Sequence, residues 1–476
     1  FMSASLLIRD VLVADPENTI APERKDIVVA DGRIVAMAAG GTTKAAAAQI
    51  IDGRDRLLLP GLVNAHTHSP LNILKGTGDV LSHPAFMWRN QADTAGRTPD
   101  EIRLCALFGC IEHLLNGTTA VIDHFPEQGF DIDCVEAVVD AYRIAGMRAV
   151  IALRIFDEPY TDIEPAGGFP VELTIANPLA PPPLDQSLAL VEQAIRSFDG
   201  AASGRIRVCP APSNSMRCSD ALLEGVRDMA ERHDTPVHMH LLETAIQAKI
   251  ARQRYGTSMV KHLDDVGLLG PRLSTAHTIW LDDADIALMA ERGTVPVHNP
   301  ESNLKLGAGI SPIARMLRAD IGVALGTDGA GTNDNLDLHD VMRLSVMLQR
   351  PGEPDRKKWP TAHDALRMAT INGGRAMRVA NLGRLVVGAP ADFTLHDLST
   401  VSWTPLNDVI TQLVFAASGA TVDTVIVGGR VLVENRRITR FDVAPVVAAV
   451  RELVPQLRAR NRVLQEWTSQ LEELVG

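Results

Sequence analysis

The spacing of hydrophobic positions changes twice along the chain and divides it into three parts. Near the start, apolar runs such as SLLIRDVLVAD and DIVVADGRIVAMAAG carry Asp-Gly turn signals, a pattern typical of short antiparallel strands. The pattern returns near the end in VDTVIVGGRVLVENRRIT, where Gly-Gly joins two apolar runs. We therefore expect residues 1–58 and 384–440 to form one small β-sandwich domain from both chain ends.

Between these ends, over residues 59–383, short apolar runs alternate with segments of helical spacing. The apolar runs predict eight strands, at 61–66, 118–123, 147–153, 205–210, 235–240, 272–277, 294–298 and 321–328. Eight strand–helix units predict an α/β fold with a (β/α)8 TIM-like barrel, although a doubly wound sheet gives a similar alternation. Residues 441–476 have helical spacing throughout and predict a C-terminal helical segment, interrupted or kinked at Pro455.

Charge and composition narrow the class of partner. Among 476 residues, 46 Lys and Arg stand against 58 Asp and Glu, a formal net charge of −12 with no basic cluster. Nucleic acid and anionic membranes are therefore not expected as partners. No leader pattern and no apolar run near the ~20 residues of a membrane helix is visible, and five cysteines without a CxxC pair fit a reducing compartment. We expect a cytoplasmic protein that acts on a small molecule.

Histidine and aspartate residues stand at the ends of several predicted strands. The first strand ends in NAHTH with His66 and His68, and later strands end in His240, His277 and Asp328. Barrel enzymes hold their sites at this end of the strands, so these side chains should converge. Imidazole and carboxylate ligands suit Zn²⁺, or Fe²⁺ as the next candidate. Each histidine alone could be structural, but together they predict a site for a divalent metal.

Five separated motifs carry a family resemblance. PGLVNAHTH, HLLET, AHT, VHNPESNLKL and LGTDGAGTND occur in this order over nearly the whole chain. The chain resembles the amidohydrolase superfamily. It is most similar to the branch of guanine, cytosine and methylthioadenosine/adenosylhomocysteine deaminases and of triazine chlorohydrolases.

The resemblance implies a role for each motif residue. It makes His66, His68, His240 and Asp328 the metal ligands, Glu243 the catalytic acid/base and Asp328 the proton acceptor for the attacking water. His277 would hydrogen-bond that water or the developing charge, or else bind the metal. The predicted fourth strand reads RIRVCPAP, without the lysine of binuclear relatives, which favours one metal.

Further residues receive weaker assignments. His238 shares a strand face with His240 and is expected to pack and hydrogen-bond inside the barrel. Substrate contacts are expected from four side chains near the mouth, namely Trp88, His298, Asn303 and Thr332. Two of them have an equal alternative, because Trp88 could be a core residue and His298 could serve in packing. A homo-oligomer, most simply a dimer, is expected from the resemblance alone.

These assignments predict a hydrolase that attacks a C–N centre of a small planar aminated N-heterocycle with metal-bound hydroxide and releases ammonia. Ala211 stands where nucleoside-type relatives carry a histidine that contacts sugar, which argues against a ribosylated substrate. Hydrolytic dechlorination, or hydrolysis of a carbamate, thiocarbamate or urea, is the alternative in the same metal site. A non-enzymatic barrel homologue is more remote, since no metal ligand is missing.

Overall fold

The computed structural model describes residues 4–17, 22–44, 46–126, 130–158 and 181–475. The chain begins with five strands of one mixed sheet: β1 (Ala4–Val13), β2 (Glu23–Ala30), β3 (Arg33–Ala39), β4 (Ala47–Asp52) and β5 (Arg56–Pro60). Strand β1 lies at the centre of this group, antiparallel to β2 and parallel to both β4 and β5.

Eight parallel strands follow, in two sheets of four. The first sheet has the order β6 (Leu62–Thr67), β7 (Thr118–Phe125), β8 (Arg148–Ile155) and β9 (Ile206–Pro212). The second has the order β10 (Val237–Leu241), β11 (Leu273–His277), β12 (Val295–His298) and β13 (Ala324–Leu325). All eight overlap the strand positions expected from the sequence. Strands β7, β8 and β9 each extend two residues further than expected, and β13 has two residues where eight were expected.

Backbone hydrogen bonds connect the two parallel sheets at both edges. Next to β9, the N–H of His240 donates to the carbonyl of Ser213 at 3.2 Å. Next to β13, the N–H of Asp328 donates to the carbonyl of His66 at 2.9 Å. The carboxyl ends of all eight strands therefore face one common region.

Helices lie between and beyond these strands. Those between β6 and β10 are α1 (His83–Thr94), α2 (Pro99–Leu115), α3 (Ile132–Ala145), α4 (Leu184–Phe198) and α5 (Asp220–His233). From β10 to β13 the helices are α6 (Ala245–Tyr255), α7 (Met259–Asp265), α8 (Asp283–Arg292), α9 (Pro300–Lys305) and α10 (Ile313–Arg318). After β13 come α11 (Leu338–Met347), α12 (Ala362–Met368) and α13 (Ile371–Ala376).

The chain then returns to the first sheet. Strand β14 (Phe393–Asp397) pairs antiparallel with β5, Leu395 opposite Leu58. Beyond β14 and a short helix, α14 (Val409–Phe415), the sheet is completed by β15 (Val422–Val427), β16 (Arg430–Glu434) and β17 (Arg437–Ile438). Strands from both chain ends thus form a single nine-stranded sheet.

Two helices end the described chain, α15 (Val443–Arg460) and α16 (Arg462–Val475). The expected interruption at Pro455 is wrong, because α15 continues through Pro455 and ends at Arg460, whereas a kink at this residue stays a prediction. Packing of Leu453 and Leu457 against Cys105 of α2 offsets the hydrogen bond that proline removes. No helix in the described part of the chain is long and apolar enough to cross a membrane.

Candidate active site

Four imidazoles meet at the carboxyl ends of the parallel strands. Ligand atoms of His66, His68, His124 and His240 all lie within 4.8 Å of one another. A second group, His66, His277 and Asp328, satisfies the same distance and shares His66. All of these side chains are buried. The structure brings together the five strand-end residues singled out in the sequence and adds His124.

Asp328 supplies the carboxylate of this cluster. Its Oδ1 lies 3.4 Å from Nε2 of His66 and 3.3 Å from Nε2 of His68, and its Oδ2 accepts a 2.6 Å hydrogen bond from the Ser302 hydroxyl. Burial acts to raise the pKa of Asp328, but the neighbouring imidazoles of His66 and His68 outweigh it and hold that pKa well below its usual range. The group is therefore an anion among imidazoles.

Hydrogen bonds on the far side of each imidazole orient its Nε2. Nδ1 of His68 donates to the carbonyl of His124 at 2.9 Å, and Nδ1 of His240 donates to the carbonyl of Ser213 at 2.7 Å. Since each of these Nδ1 atoms carries a proton, Nε2 of a neutral ring keeps its lone pair. Both imidazoles are thus in the tautomer that binds metal through Nε2.

His238 does the same for His66. The Ser274 hydroxyl donates to the carbonyl of Val237 at 3.3 Å, so its oxygen accepts from Nδ1 of His238 at 2.7 Å. Nε2 of His238 then accepts from Nδ1 of His66 at 2.8 Å. This series of hydrogen bonds leaves Nε2 of His66 with a lone pair. The expectation that His238 packs and hydrogen-bonds inside the barrel is confirmed.

The donor set fits a divalent cation. Burial lowers the pKa of His66 to about 4 and that of His240 well below its usual value, so both rings are neutral, the form that binds metal. Nε2 of His66 is buried without a hydrogen-bond partner among the described residues. Neutral imidazoles beside one carboxylate are the ligands that Zn²⁺ prefers among nitrogen and oxygen donors.

Glu243 lies two residues beyond β10 and faces the same cluster. Its Oε2 lies 3.0 Å from Nε2 of His83, and its Oε1 lies 3.7 Å from Nε2 of His277. Burial acts to raise the pKa of Glu243, but His277 and His83 outweigh it and lower that pKa to about 2. His83 was not identified from the sequence, since it begins α1 and carries no strand-end signal.

His277 stands between the two carboxylates. Its Nδ1 donates to Oδ1 of Asn303 at 2.8 Å. Its Nε2 lies 3.7 Å from Glu243 Oε1 and 3.9 Å from Asp328 Oδ2. The same nitrogen of His277 therefore faces both carboxylates.

The four expected substrate contacts lie in different surroundings. Trp88 is 1% exposed and belongs to the main hydrophobic core. The Thr332 hydroxyl donates to the carbonyl of Gly329 at 2.7 Å, and Asn303 orients His277. His298 is buried with neither ring nitrogen paired among the described residues, and burial lowers its pKa to about 3. Substrate contact by these four side chains stays a prediction.

His124 is the second residue that sequence reasoning missed. The expected strand stopped at Asp123, whereas β7 continues through His124 to Phe125. The signal was present, because His124 stands at a strand end like His66 and His240.

Ala211 and Ser213 differ in their relation to the cluster. Ala211 is fully buried, packed with Val63, Ala65 and Ala152 in the apolar interior of the strands. Ser213 contacts the cluster directly, since its carbonyl accepts from His240 and its hydroxyl accepts from Nε of Arg154 at 3.0 Å. Of these two residues, Ser213, the first residue after β9, therefore contacts the site, and Ala211 does not.

Comparisons with known proteins agree with this geometry. The model of the amidohydrolase family matches residues 57–432. The chain is 34% identical over 434 residues to a 5'-deoxyadenosine deaminase of Methanothermobacter thermautotrophicus, covering 90% of this chain and 89% of that protein. It is 35% identical over 448 residues to a 5-methylthioadenosine/S-adenosylhomocysteine deaminase of Nitratidesulfovibrio vulgaris, covering 93% and 95%.

Two solved structures are similar over almost their whole length. An adenosine deaminase from Xanthomonas campestris with bound zinc is 30% identical, with a TM-score of 0.85 over 97% of this chain and 99% of that one. The atrazine chlorohydrolase of Arthrobacter aurescens TC1 complexed with zinc is 26% identical, with a TM-score of 0.86 over 94% and 100%. The resemblance inferred from the motifs is confirmed: the chain belongs to the amidohydrolase family and is a metal-dependent hydrolase that acts on a C–N bond.

Proposed function

We propose that this protein is an aminohydrolase that replaces the exocyclic amino group of a small planar N-heterocycle with oxygen from water and releases ammonia. The observation that carries this proposal is the position of Glu243. Its Oε1 and Oδ2 of Asp328 lie 3.7 and 3.9 Å from the same nitrogen of His277. Two carboxylates around one imidazole can each take a proton from water and deliver one to a ring nitrogen and the other to a leaving amine.

We assign the metal to His66, His68, His240 and Asp328. When bound there, a divalent cation lowers the pKa of a water molecule towards 7 and so supplies a nucleophile at neutral pH. Zinc is the metal we propose, and two similar structures, of an adenosine deaminase and of an atrazine chlorohydrolase, contain zinc. Fe²⁺ is the second candidate for the same donors.

The protein side chains move the protons. Glu243 is ionised in the free protein, so it first takes one proton from the attacking water and then delivers it to the ring nitrogen next to the attacked carbon, which makes that carbon more electrophilic. Asp328 accepts the second proton of the water at Oδ2, where the Ser302 hydroxyl now donates, and passes it to the departing amino group. The C–N bond then breaks, the oxygen of the water stays on the ring as a carbonyl, and the amino group leaves as ammonia. His277 holds the incoming oxygen between the two carboxylates.

We propose an adenine-type ring, carried on a nucleoside, as the first substrate class to test. Relatives at 34% and 35% identity are named as deaminases of 5'-deoxyadenosine and of 5-methylthioadenosine/S-adenosylhomocysteine. The sequence argument against a ribosylated substrate depended on Ala211. Ala211 packs with Val63, Ala65 and Ala152 in the apolar interior, so we give its identity less weight than the names of these relatives.

We also propose a fully closed (β/α)8 barrel and a two-layered β-sandwich. Hydrogen bonds at both edges of the parallel sheets support barrel closure. One buried cluster draws on strands from both chain ends, including Leu6, Ile27, Leu58, Phe393 and Ile426, and it supports folding of the nine-stranded sheet over its own core. We therefore propose the same three parts that the sequence predicts. They are a β-sandwich domain from 1–58 and 384–440, a barrel domain over 59–383 and a C-terminal helical segment over 441–476.

The test is ammonia release by the metal-loaded protein from a panel of adenine nucleosides, free purines, pterins, pyrimidines and triazines. Glu243→Gln keeps the side-chain size and removes the acid/base, so we expect a loss of about 10²–10⁴-fold in kcat with unchanged metal content. A variant that keeps wild-type kcat would contradict the role of Glu243. Silence of the wild type across the panel, with metal bound, would overturn the deaminase proposal.

Hydrolytic dechlorination is the second candidate, favoured by the TM-score of 0.86 to the atrazine chlorohydrolase. It would use the same metal site with a different leaving group. Chloride release from chlorinated triazines, measured beside ammonia release from aminated ones, distinguishes the two reactions.

A further inference from the structure

His124 is a buried imidazole without a described partner. It lies in β7, is completely buried, and neither of its ring nitrogens has a hydrogen-bond partner among the residues the structure describes. A buried polar group left unpaired is destabilising, because it gives up its hydrogen bonds to water and gains none in return. Such a ring in a protein interior therefore indicates a partner of another kind.

The ring of His124 lies against the metal cluster. Its centroid is 4.7 Å from that of His240 and 5.4 Å from that of His68, and one of its nitrogens is within 4.8 Å of the donor atoms of both and of His66. Its backbone carbonyl accepts the hydrogen bond that orients His68. The residue thus touches the cluster through both its main chain and its side chain.

Two neighbouring histidines show that this combination is specific. His238 also lies beside His66, but both of its ring nitrogens are used in hydrogen bonds. His298 is buried with both nitrogens unpaired among the described residues, but it is not part of the four-imidazole group. Of these three, His124 alone joins an unpaired ring to a place in the cluster.

We propose that His124 is a fourth imidazole ligand of the metal, an inference that rests on the metal site of the proposed function. The donor set is then His66, His68, His124 and His240 with Asp328. Five protein ligands hold a divalent cation more tightly than four and leave fewer open positions. The site would therefore retain its metal through dialysis against weak chelators.

The first test uses the wild-type protein loaded with Zn²⁺. X-ray absorption spectroscopy counts coordinated imidazoles from their outer-shell scattering, and we expect four. A count of three would overturn the role of His124 and leave the proposed function intact. Failure of the wild type to take up metal would overturn both.

The second test compares His124→Asn and His124→Gln, which place a weaker donor near the two ring-nitrogen positions. Loss of an outer-shell partner typically costs about 10–100-fold in metal affinity, and loss of a ligand should exceed the upper end of that range. We expect the imidazole count to fall by one and the Zn²⁺ Kd, from competition with a chelator, to rise by more than about 100-fold.

A matched control is His113→Asn, which removes another buried imidazole, in α2 and outside the cluster. It should leave both the count and the Kd unchanged. If folded His124 variants keep four imidazoles and the wild-type Kd, the fourth ligand is another residue and the proposal is wrong. If neither variant folds, the wild-type count decides.

Discussion

Glu243 is held in place by His83, which comes from outside the barrel strands. His83 is the first residue of α1, and its Nε2 lies 3.0 Å from Glu243 Oε2. The other carboxylate oxygen faces His277 at 3.7 Å. Since His83 contacts Oε2, the oxygen that faces the metal cluster and the substrate is Oε1. His83 therefore acts as a positioning residue for Glu243.

Replacing His83 should therefore slow the reaction more than it weakens binding. We expect His83→Ala to lower kcat about 10-fold, the loss of one charge-assisted hydrogen bond, with a smaller change in KM. Without the imidazole the pKa of Glu243 should rise, so the acid limb of the kcat profile should move to higher pH. Steady-state kinetics across pH measure both effects.

His83→Gln is the conservative comparison, because its amide keeps an N–H donor. It should recover most of the lost kcat. An unshifted acid limb in His83→Ala would show that the contact with Glu243 does not position the carboxylate in the working enzyme.

At this scale the sequence predicted the strand-end residues and missed two neighbours. His66, His68, His240, His277 and Asp328 could be found because parallel strands place their last residues together. His124 was missed because the predicted strand ended at Asp123, two residues before the end of β7. His83 could not be found, since its contact depends on how α1 docks over the strand ends, and no local spacing encodes that.

Among the elements, α9 and α11 bring three carboxyl groups together. Glu301 of α9 faces Asp340 of α11 and Asp337, the residue that caps α11. Burial first, and then these two carboxylates, raise the pKa of Glu301 to about 8, although Asn333 donates to it at 3.4 Å. At neutral pH, Glu301 is therefore protonated and uncharged.

This arrangement should make stability depend on pH. The pKa of Glu301 is higher in the folded protein than in the unfolded chain, so protonated Glu301 favours the folded state. Its contribution to the free energy of unfolding is complete at low pH and is lost as pH rises through about 8. From about pH 6 to about pH 8.5, wild-type protein should lose about 3 kcal/mol of unfolding free energy at this position. Glu301→Gln should remove most of that loss in urea denaturation.

Glu224→Gln changes an exposed glutamate of α5 and serves as the control. It should retain the wild-type pH dependence. Equal slopes in wild type and Glu301→Gln would mean that Glu301 ionises freely in the folded protein.

Element positions were predictable where the alternation of apolar runs was strong. The eight parallel strands overlap the positions expected from the sequence, because each lies in a short apolar run bounded by turn residues, but their ends differ from the expected ones. Helix α15 was not predicted correctly, because Pro455 indicates a break when only the local backbone geometry is considered. Tertiary packing of Leu453 and Leu457 on α2 decides that the helix continues.

For the molecule as a whole, a buried ion pair joins the parallel strands to the nine-stranded sheet. Nε of Arg148, at the start of β8, donates to Oδ2 of Asp392 at 2.9 Å, and Asp392 Oδ1 also accepts from the N–H of Gly428 at 2.8 Å. The side chains are 9% and 1% exposed. Removing either partner leaves the other charge buried.

Asp392→Ala should therefore destabilise the fold by about 3–5 kcal/mol, because Arg148 loses its counter-charge. The double variant Arg148→Met with Asp392→Ala should be more stable than Asp392→Ala alone, since no charge is then left unpaired. Urea denaturation of the two variants and wild type measures the difference. A double variant less stable than the single one would contradict this account.

The pairing of β5 with β14 has a consequence for how the protein is made. Leu58 leaves the ribosome long before Leu395, its partner across the sheet. Until then β5 presents an unpaired edge, the kind of surface that recruits strands from other chains. A nascent chain stalled before β14 should thus carry a folded set of parallel strands beside an adhesive edge. Expression from slowly translated mRNA, or at a high concentration of nascent chains, should yield aggregates joined through β5. A peptide with the sequence of β14, added in trans, should suppress these aggregates.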